Sequence, residues 1–249
     1  MKLTVLGSSA GTPTRTNPAS GYLLEHDGST MWIDAGTGTF MRLAERVDPG
    51  QLDAVVISHV HVDHASDLFG LYGYLAYGPS GHVPIPVFVT EGATELFGNF
   101  AGATGEHVFH HVLDFREVGR GDTAEVGSFA LRFGASKHAV ANNITRIVAG
   151  GKTLVYTGDA GPSDELAEMA DGAALFLCEA TLIGERHAQT YPFHLTASEA
   201  GQIAARANVG HLVLTHISHT VNPAQSVAEA AERFDGLISY AAPGTEFDI

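Results

Sequence analysis

Ala54-Val55-Val56-Ile57-Ser58-His59-Val60-His61-Val62-Asp63-His64 is the stretch that decides how this chain is read. Its first half is apolar and β-branched and reads as a buried strand. Beyond it, Ala65-Ser66-Asp67-Leu68-Phe69-Gly70-Leu71 carries apolar residues at helical spacing. Three imidazoles and one carboxylate therefore sit on a short strand-to-helix loop. Imidazole nitrogen and carboxylate oxygen are the donors that zinc and similar divalent ions prefer. His59 and His61 alternate and can grip one ion, while Asp63 and His64 are adjacent and can turn toward a second. A merely polar loop would not gather four such side chains in six positions.

Three further positions follow apolar strands. His138 lies just past Phe129–Ala135, Asp159 follows Leu154-Val155-Tyr156-Thr157-Gly158, and His216 ends Leu212-Val213-Leu214-Thr215. Strand ends are where α/β architectures place their chemistry. Taken singly, a strand-end histidine is more often structural. Taken with the first motif, these positions complete two coordination shells. The inferred arrangement gives one metal His59, His61 and His138, and the other Asp63, His64 and His216, with the Asp159 carboxylate shared. Two divalent ions at roughly 3.5–4 Å acidify a shared water and clamp the attacking and leaving oxygens. Zinc is the default, and manganese or iron also suits such donors.

Composition bounds the rest. The chain has 249 residues, 45% of them apolar, enough for one large domain over 1–249, or two small layers sharing a core. No apolar run is long enough for a membrane span, and Met1–Gly7 runs straight into a strand and glycine turn, so neither a signal peptide nor a membrane partner is expected. The single cysteine, Cys178, excludes an intrachain disulfide and fits a reducing cytoplasm. The net charge is −15, and the 13 Lys and Arg are scattered. That argues against long nucleic acid as a partner but not against a small phosphate ester, because bound metals invert the local field.

Strands are expected at Leu3–Leu6, Gly21–His26, Met31–Asp34, Val87–Val89, Val108–Val118, Phe129–Ala135, Ile144–Val148, Thr153–Tyr156, Ala174–Cys178, Leu212–Leu214 and Leu237–Tyr240. Helices are expected at Gly38–Arg46, Ala93–Phe100, Ser163–Ala170 capped by Ser163, Thr196–Ala207 with a Thr196/Glu199 capping box, and Pro223–Phe234. Gly78-Pro79-Ser80-Gly81 should break the helix that follows the metal loop. Phe69, Tyr72, Tyr74 and Tyr77 read as a mixed stripe, mainly core, with part of it able to line the mouth of a pocket. The pattern is met by an α/β fold, two mixed sheets packed face to face with helices outside.

The set His59-x-His61-x-Asp63-His64, His138, Asp159 and His216 resembles the metallo-β-lactamase fold hydrolases. More narrowly it resembles the ribonuclease Z branch and its phosphodiesterase relatives, through Leu6–Pro13, Thr157-Gly158-Asp159, Cys178-Glu179-Ala180-Thr181, His194-Leu195-Thr196 and Leu214–Ser218. The resemblance implies a four-layer αββα sandwich, two zinc ions at the positions named, and a homodimer of the kind this branch often forms. It also implies that His194 protonates the leaving group, with Glu179 orienting its imidazole and Asp63 orienting the nucleophile as well as ligating. Two features depart from ribonuclease Z. Its tRNA-holding arm has no room here, because His138 and Asp159 stand only 21 positions apart. Cys178 also replaces a common histidine. The armless pattern is similar to that of actinobacterial-type relatives and implies small or cyclic nucleotides as substrates. Two other uses of the same metals stay open: tRNA 3′-end cleavage, and hydrolysis of carboxyl esters, lactones or thioesters.

Secondary candidates are His219, Asn142 and Asn143 as substrate contacts. The backbone of Ser8, Ser9 and Thr12 is a weaker one. His107, His110 and His111 lack a carboxylate partner and read as surface or strand residues. Cys178 reads as buried packing.

Overall fold

The side chains of Gly21–His26 (β2) show how the layers are made: Tyr22 and Leu24 turn to one side, Leu23 to the other, and all three are buried. A strand presents successive side chains to opposite faces, so a strand buried on both has packing above and below it. The computed structural model describes residues 1–78, 83–101, 110–184 and 192–249.

The first sheet is built from β1 (Lys2–Gly7), β2, β3 (Ser29–Ile33), β4 (Ala54–Val56), β5 (Ile85–Val89), β6 (Leu113–Glu117) and β14 (Glu246–Asp248), in the order β14-β1-β2-β3-β4-β5-β6. Its β1–β3 part is antiparallel and β3–β6 is parallel. The second contains β7 (Thr123–Val126), β8 (Phe129–Ala135), β9 (Asn143–Ala149), β10 (Lys152–Tyr156), β11 (Leu175–Glu179), β12 (His211–Thr215) and β13 (Leu237–Tyr240), in the order β13-β12-β11-β10-β9-β8-β7. It is antiparallel from β7 to β10 and parallel from β10 to β13. The inner faces meet in one layer, where Tyr22, Met31, Ile33 and Val56 pack against Phe133, Ile147, Tyr156 and Leu177.

Helices cover the outer faces. Leu23, Trp32 and Val55 pack under α1 (Thr39–Ala44), α3 (Leu68–Tyr77) and α4 (Ala93–Ala101). Phe176, Cys178, Leu212 and Leu214 pack under α5 (Asp164–Ala170), α6 (Ala197–Arg206) and α7 (Pro223–Ala231). This is the αββα sandwich. Each fully buried leucine or aromatic side chain contributes on the order of 1.5–3 kcal/mol, which lets the layers hold a strained rim.

Several expectations need correction. Asp63 and His64 are not in a loop but already in one helical turn, α2 (Val62–Ala65). The strand expected from Val108 begins at Leu113; residues 110–112 are helical, and 108–109 lie outside the described residues. Pro79, Ser80, Gly81 and His107 also lie outside them. Ser163 occupies the cap position of α5, but its side chain makes no cap hydrogen bond, whereas the Thr196/Glu199 box of α6 is formed in both directions. On α3 the inner face belongs to Leu68, Leu71 and Leu75. Phe69, Tyr72 and Tyr74 pack at its margin and Tyr77 is exposed, because the leucines occupy the stripe facing the sheet. Strands β7 and β14 had not been anticipated. Among the described residues no helix is long and apolar enough to cross a membrane.

Candidate metal centre

The seven positions picked out as metal ligands lie at one edge of the sandwich. Asp34, Ser58-His59, His138, Asp159 and His216 follow β3, β4, β8, β10 and β12 respectively. The strands β8, β10, β11 and β12 all run the same way, so their C-terminal ends share one edge. Helix α2 then returns Asp63 and His64 over it.

Three overlapping donor groups result among the described residues. His59, His61, His138 and Asp159 form one, Asp63, His64 and His216 a second, and Asp159, His194 and His216 a third, with the donor atoms of each inside 4.8 Å of one another. His61 Nδ1 lies 3.0 Å from His59 Nε2 and 3.1 Å from His138 Nε2. Asp159 spans the groups: Oδ2 is 3.7 Å from His59 Nε2, and Oδ1 is 3.2 Å from His64 Nε2. On the other side, Asp63 Oδ2 is 3.1 Å from His216 Nε2 and 3.5 Å from His64 Nε2.

The outer nitrogens are held by protein. Asp34 is fully buried and accepts from Ser58 N–H at 2.7 Å, Ser58 O–H at 2.8 Å, Tyr156 O–H at 2.6 Å and His64 Nδ1–H at 2.7 Å. Because Ser58 gives its proton to Asp34, its oxygen is left to accept from His59 Nδ1–H at 3.1 Å. His138 Nδ1–H donates to the Phe193 carbonyl at 3.1 Å. His59 and His138 thus both aim an unprotonated Nε2 at His61. One proton on His61 cannot serve both well; a divalent ion serves all three. The same holds between the groups, where buried His64 Nε2 and Asp159 Oδ1 face each other without a hydrogen-bond partner. Orphaned buried polar atoms are costly, and this donor chemistry fits divalent metal.

Ionisation fits too. Burial and the facing histidines hold His59 well below the usual imidazole pKa, neutral as a ligand must be. Burial likewise lowers His138. Burial opposes a charge on Asp159, but His216 and His64 keep its carboxyl well below the usual range. Asp63 is also held ionised: burial opposes it, and the facing His216 and His64 rings outweigh burial. For His64, burial is outweighed by Asp159 and Asp34, which favour a proton in the place a metal would take.

Beside the cluster, His194 Nδ1–H donates to Glu179 Oε1 at 3.0 Å, and its ring stacks on that of His216 at 5.7 Å. Glu179 is fully buried and also accepts from Ala160, Thr181 and Leu195 N–H groups. Burial disfavours the His194 cation, but Glu179, and Asp159 farther off, outweigh it and raise the pKa to about 9.

Other candidates are not brought to the site as substrate contacts. Asn142 donates to Ser136 Oγ and the Thr157 carbonyl, and Asn143 to the Val118 carbonyl. The Ser8 and Ser9 N–H groups are used on Pro18, and that of Thr12 on Ala10. The turn acts instead through Gly11 N–H, which donates to Asp63 Oδ2 at 2.7 Å. His219 is exposed, and Cys178 is buried with its thiol pKa pushed up by burial. Asp34 was the omission. It ends an apolar strand just as Asp159 and His216 do, and that signal could have found it.

A family model described as a beta-lactamase superfamily domain matches residues 8–217. The chain belongs to the beta-lactamase superfamily. Within it, the chain is 33% identical over its whole length to the uncharacterised protein ML1173 of Mycobacterium leprae, covering 89% of that protein. It is 29% identical to the probable metallo-hydrolase YhfI of Bacillus subtilis, with 98% of each chain covered. The crystal structure of YhfI superposes with a TM-score of 0.89 at 27% identity, covering 99% of both chains. A ribonuclease Z of Chlamydia muridarum is 26% identical over 95% of this chain and 94% of its own. The chain is thus a metallo-hydrolase of this fold, related to ribonuclease Z, with His/Asp clusters able to bind metal ions.

Proposed function

We propose that this metallo-hydrolase is a binuclear phosphodiesterase acting on small or cyclic nucleotides in the cytoplasm. The observation that carries it is the His194–Glu179 pair beside the ligand cluster, with the Nδ1–Oε1 contact at 3.0 Å. An alkoxide leaving a phosphodiester needs a proton, and an imidazole held cationic by a buried carboxylate is suited to give one.

The ligand set is His59, His61 and His138 on one side, Asp63, His64 and His216 on the other, and Asp159 between them. When bound, two divalent ions, zinc by donor chemistry, supply an acidified water and neutralise phosphoryl oxygens. Asp34 fixes His64 directly and His59 through Ser58. Asp63, anchored by Gly11 N–H, stays ionised to ligate and to orient the nucleophile. His194 gives its proton to the leaving oxygen while Glu179 keeps the ring in place.

Small substrates are favoured over tRNA by what lies between His138 and Asp159. That interval is spent on the β9–β10 hairpin, paired within the sheet from Lys152↔Ala149 to Tyr156↔Thr145, and no protruding arm interrupts it. The net charge of −15 points the same way.

The test is a panel of 3′,5′-cyclic AMP, 2′,3′-cyclic AMP, bis(p-nitrophenyl) phosphate and a precursor tRNA on metal-analysed protein, with His64→Ala as blank. Turnover of a small diester, lost in the blank, is expected. Cleavage of the tRNA alone would replace this reading with ribonuclease Z-type processing, and preference for a carboxyl ester or thioester would move the reaction to acyl chemistry.

A further inference from the structure

One hydroxyl joins the two halves of this site. Thr181 Oγ1 lies 2.8 Å from Glu179 Oε2 and 2.8 Å from His216 Nδ1. It is also 3.1 Å from the His216 carbonyl and 3.3 Å from His194 Nδ1. A threonine hydroxyl has one proton and two lone pairs. Glu179 Oε2 already accepts from the Thr181 and Leu195 N–H groups, and hydrogen bonds to carboxylates are the stronger ones, so the hydroxyl donates there. Its lone pair then faces His216 Nδ1, which must carry the proton. The rival acceptor for that proton, Asp159 Oδ1, is longer at 3.3 Å and takes no hydrogen bond.

The consequence for His216 is a fixed tautomer. With Nδ1 protonated, Nε2 keeps its lone pair, and Nε2 is the atom 3.1 Å from Asp63 Oδ2. His216 also has a left-handed backbone, φ 49°, uncommon for a non-glycine residue and held where Thr181 contacts both its ring and its carbonyl. The other oxygen of the same Glu179 carboxylate accepts from His194.

We propose that Thr181 is a positioning residue: its hydroxyl sets the tautomer of the ligand His216 and ties it to the Glu179 carboxylate that also holds His194. Ligation and proton donation are thereby anchored to one buried group. The ligation half stands on metal binding alone; the proton-donation half rests on the phosphodiesterase reading.

The experiment compares Thr181→Val and Thr181→Ser with the parent protein, using zinc competed against a chromophoric chelator. Groups that hold a ligating histidine are worth about 10–100-fold in metal affinity. Thr181→Val should lose affinity in that range at one of the bound ions, and Thr181→Ser should restore most of it. Unchanged affinity in a folded Thr181→Val protein would overturn the proposal. Nitrogen-15 correlation spectra of the zinc-loaded parent protein give a reading that needs no variant: His216 should show Nδ1–H with Nε2 ligating, and the reverse tautomer would equally overturn it. On diesters, Thr181→Val should slow release of an alkyl alkoxide more than release of p-nitrophenolate. Equal loss on both would remove the link to His194. Were no diester cleaved by the parent protein, the phosphodiesterase reading would fail while the affinity and tautomer results still judged the ligation half.

Discussion

At the residue scale, the site depends on groups one bond removed from the ligands. Asp34 receives four hydrogen bonds, one of them from His64 and two from Ser58, whose hydroxyl oxygen in turn accepts from His59. Asp34→Asn would keep the volume but remove the charge that holds these donors. Its metal affinity should fall by roughly 10–100-fold, read by chelator competition on a protein whose circular dichroism is unchanged. Glu179 makes a second prediction. It is the chief group raising His194 to about 9 against burial. Its replacement by Gln removes a negative charge beside the imidazole, so the pKa falls. The protonated form is then lost at lower pH, and the alkaline limb of the kcat profile should move toward neutrality. Loss of a well-placed general acid costs about 10²–10⁴ in kcat. A Glu179→Gln enzyme with both kcat and alkaline limb unmoved would exclude His194 as the proton donor.

At the scale of elements, the chemistry is delivered by how strands end. β10 ends at Tyr156 and leads through Thr157 into Gly158, whose φ is +55°, and then Asp159. A Cβ at Gly158 would stand 2.3 Å from Asn142 Oδ1 and 2.8 Å from Ser58 Cβ. The glycine therefore permits both the turn and the approach of β4's end to β9's start. Gly158→Ala should cost about 1–3 kcal/mol from backbone strain alone. It should also displace Asp159, so thermal unfolding and metal stoichiometry should fall together. The strand ends were legible from β-branched runs followed by single polar residues. The edge strands β7 and β14 were not, because Thr123–Val126 and Glu246–Asp248 are short and mostly exposed and lack the apolar run that marks a central strand. The α3 aromatics were legible only in part for a related reason. Apolar spacing alone could not say which of two interleaved stripes, leucine or tyrosine, faces the sheet.

For the whole molecule, the ligand cluster is a stability device as well as a reactive site. It gathers Asp63, Asp159 and five histidines into a largely buried volume at the joint of two sheets. Unpaired buried donors destabilise the metal-free state, and a ligand that binds only the folded chain stabilises it by mass action. At a free ion concentration about 100-fold above Kd, that is about 2.7 kcal/mol, which for a chain of this size moves Tm by about 5–10 °C. Scanning calorimetry with and without a chelator should show that drop, reversed by adding zinc. A Tm unaffected by chelation would mean that the cluster holds no ion in the folded protein.

By itself the sequence determined the two-sheet sandwich and the positions from which ligands come. Both are written in local patterns: β-branched runs of period two, capping signals such as Thr196 with Glu199, and polar residues at the ends of apolar strands. Only the tertiary structure decided which nitrogen of each histidine faces inward and what holds the other. Those choices hang on contacts between residues far apart in the chain, Asp34 with Tyr156 and Thr181 with His216. No local pattern encodes them. They exist because packing the sheets face to face brings the C-terminal ends of β3, β4, β10, β11 and β12 to one edge, where a buried polar group must find its partner across the fold.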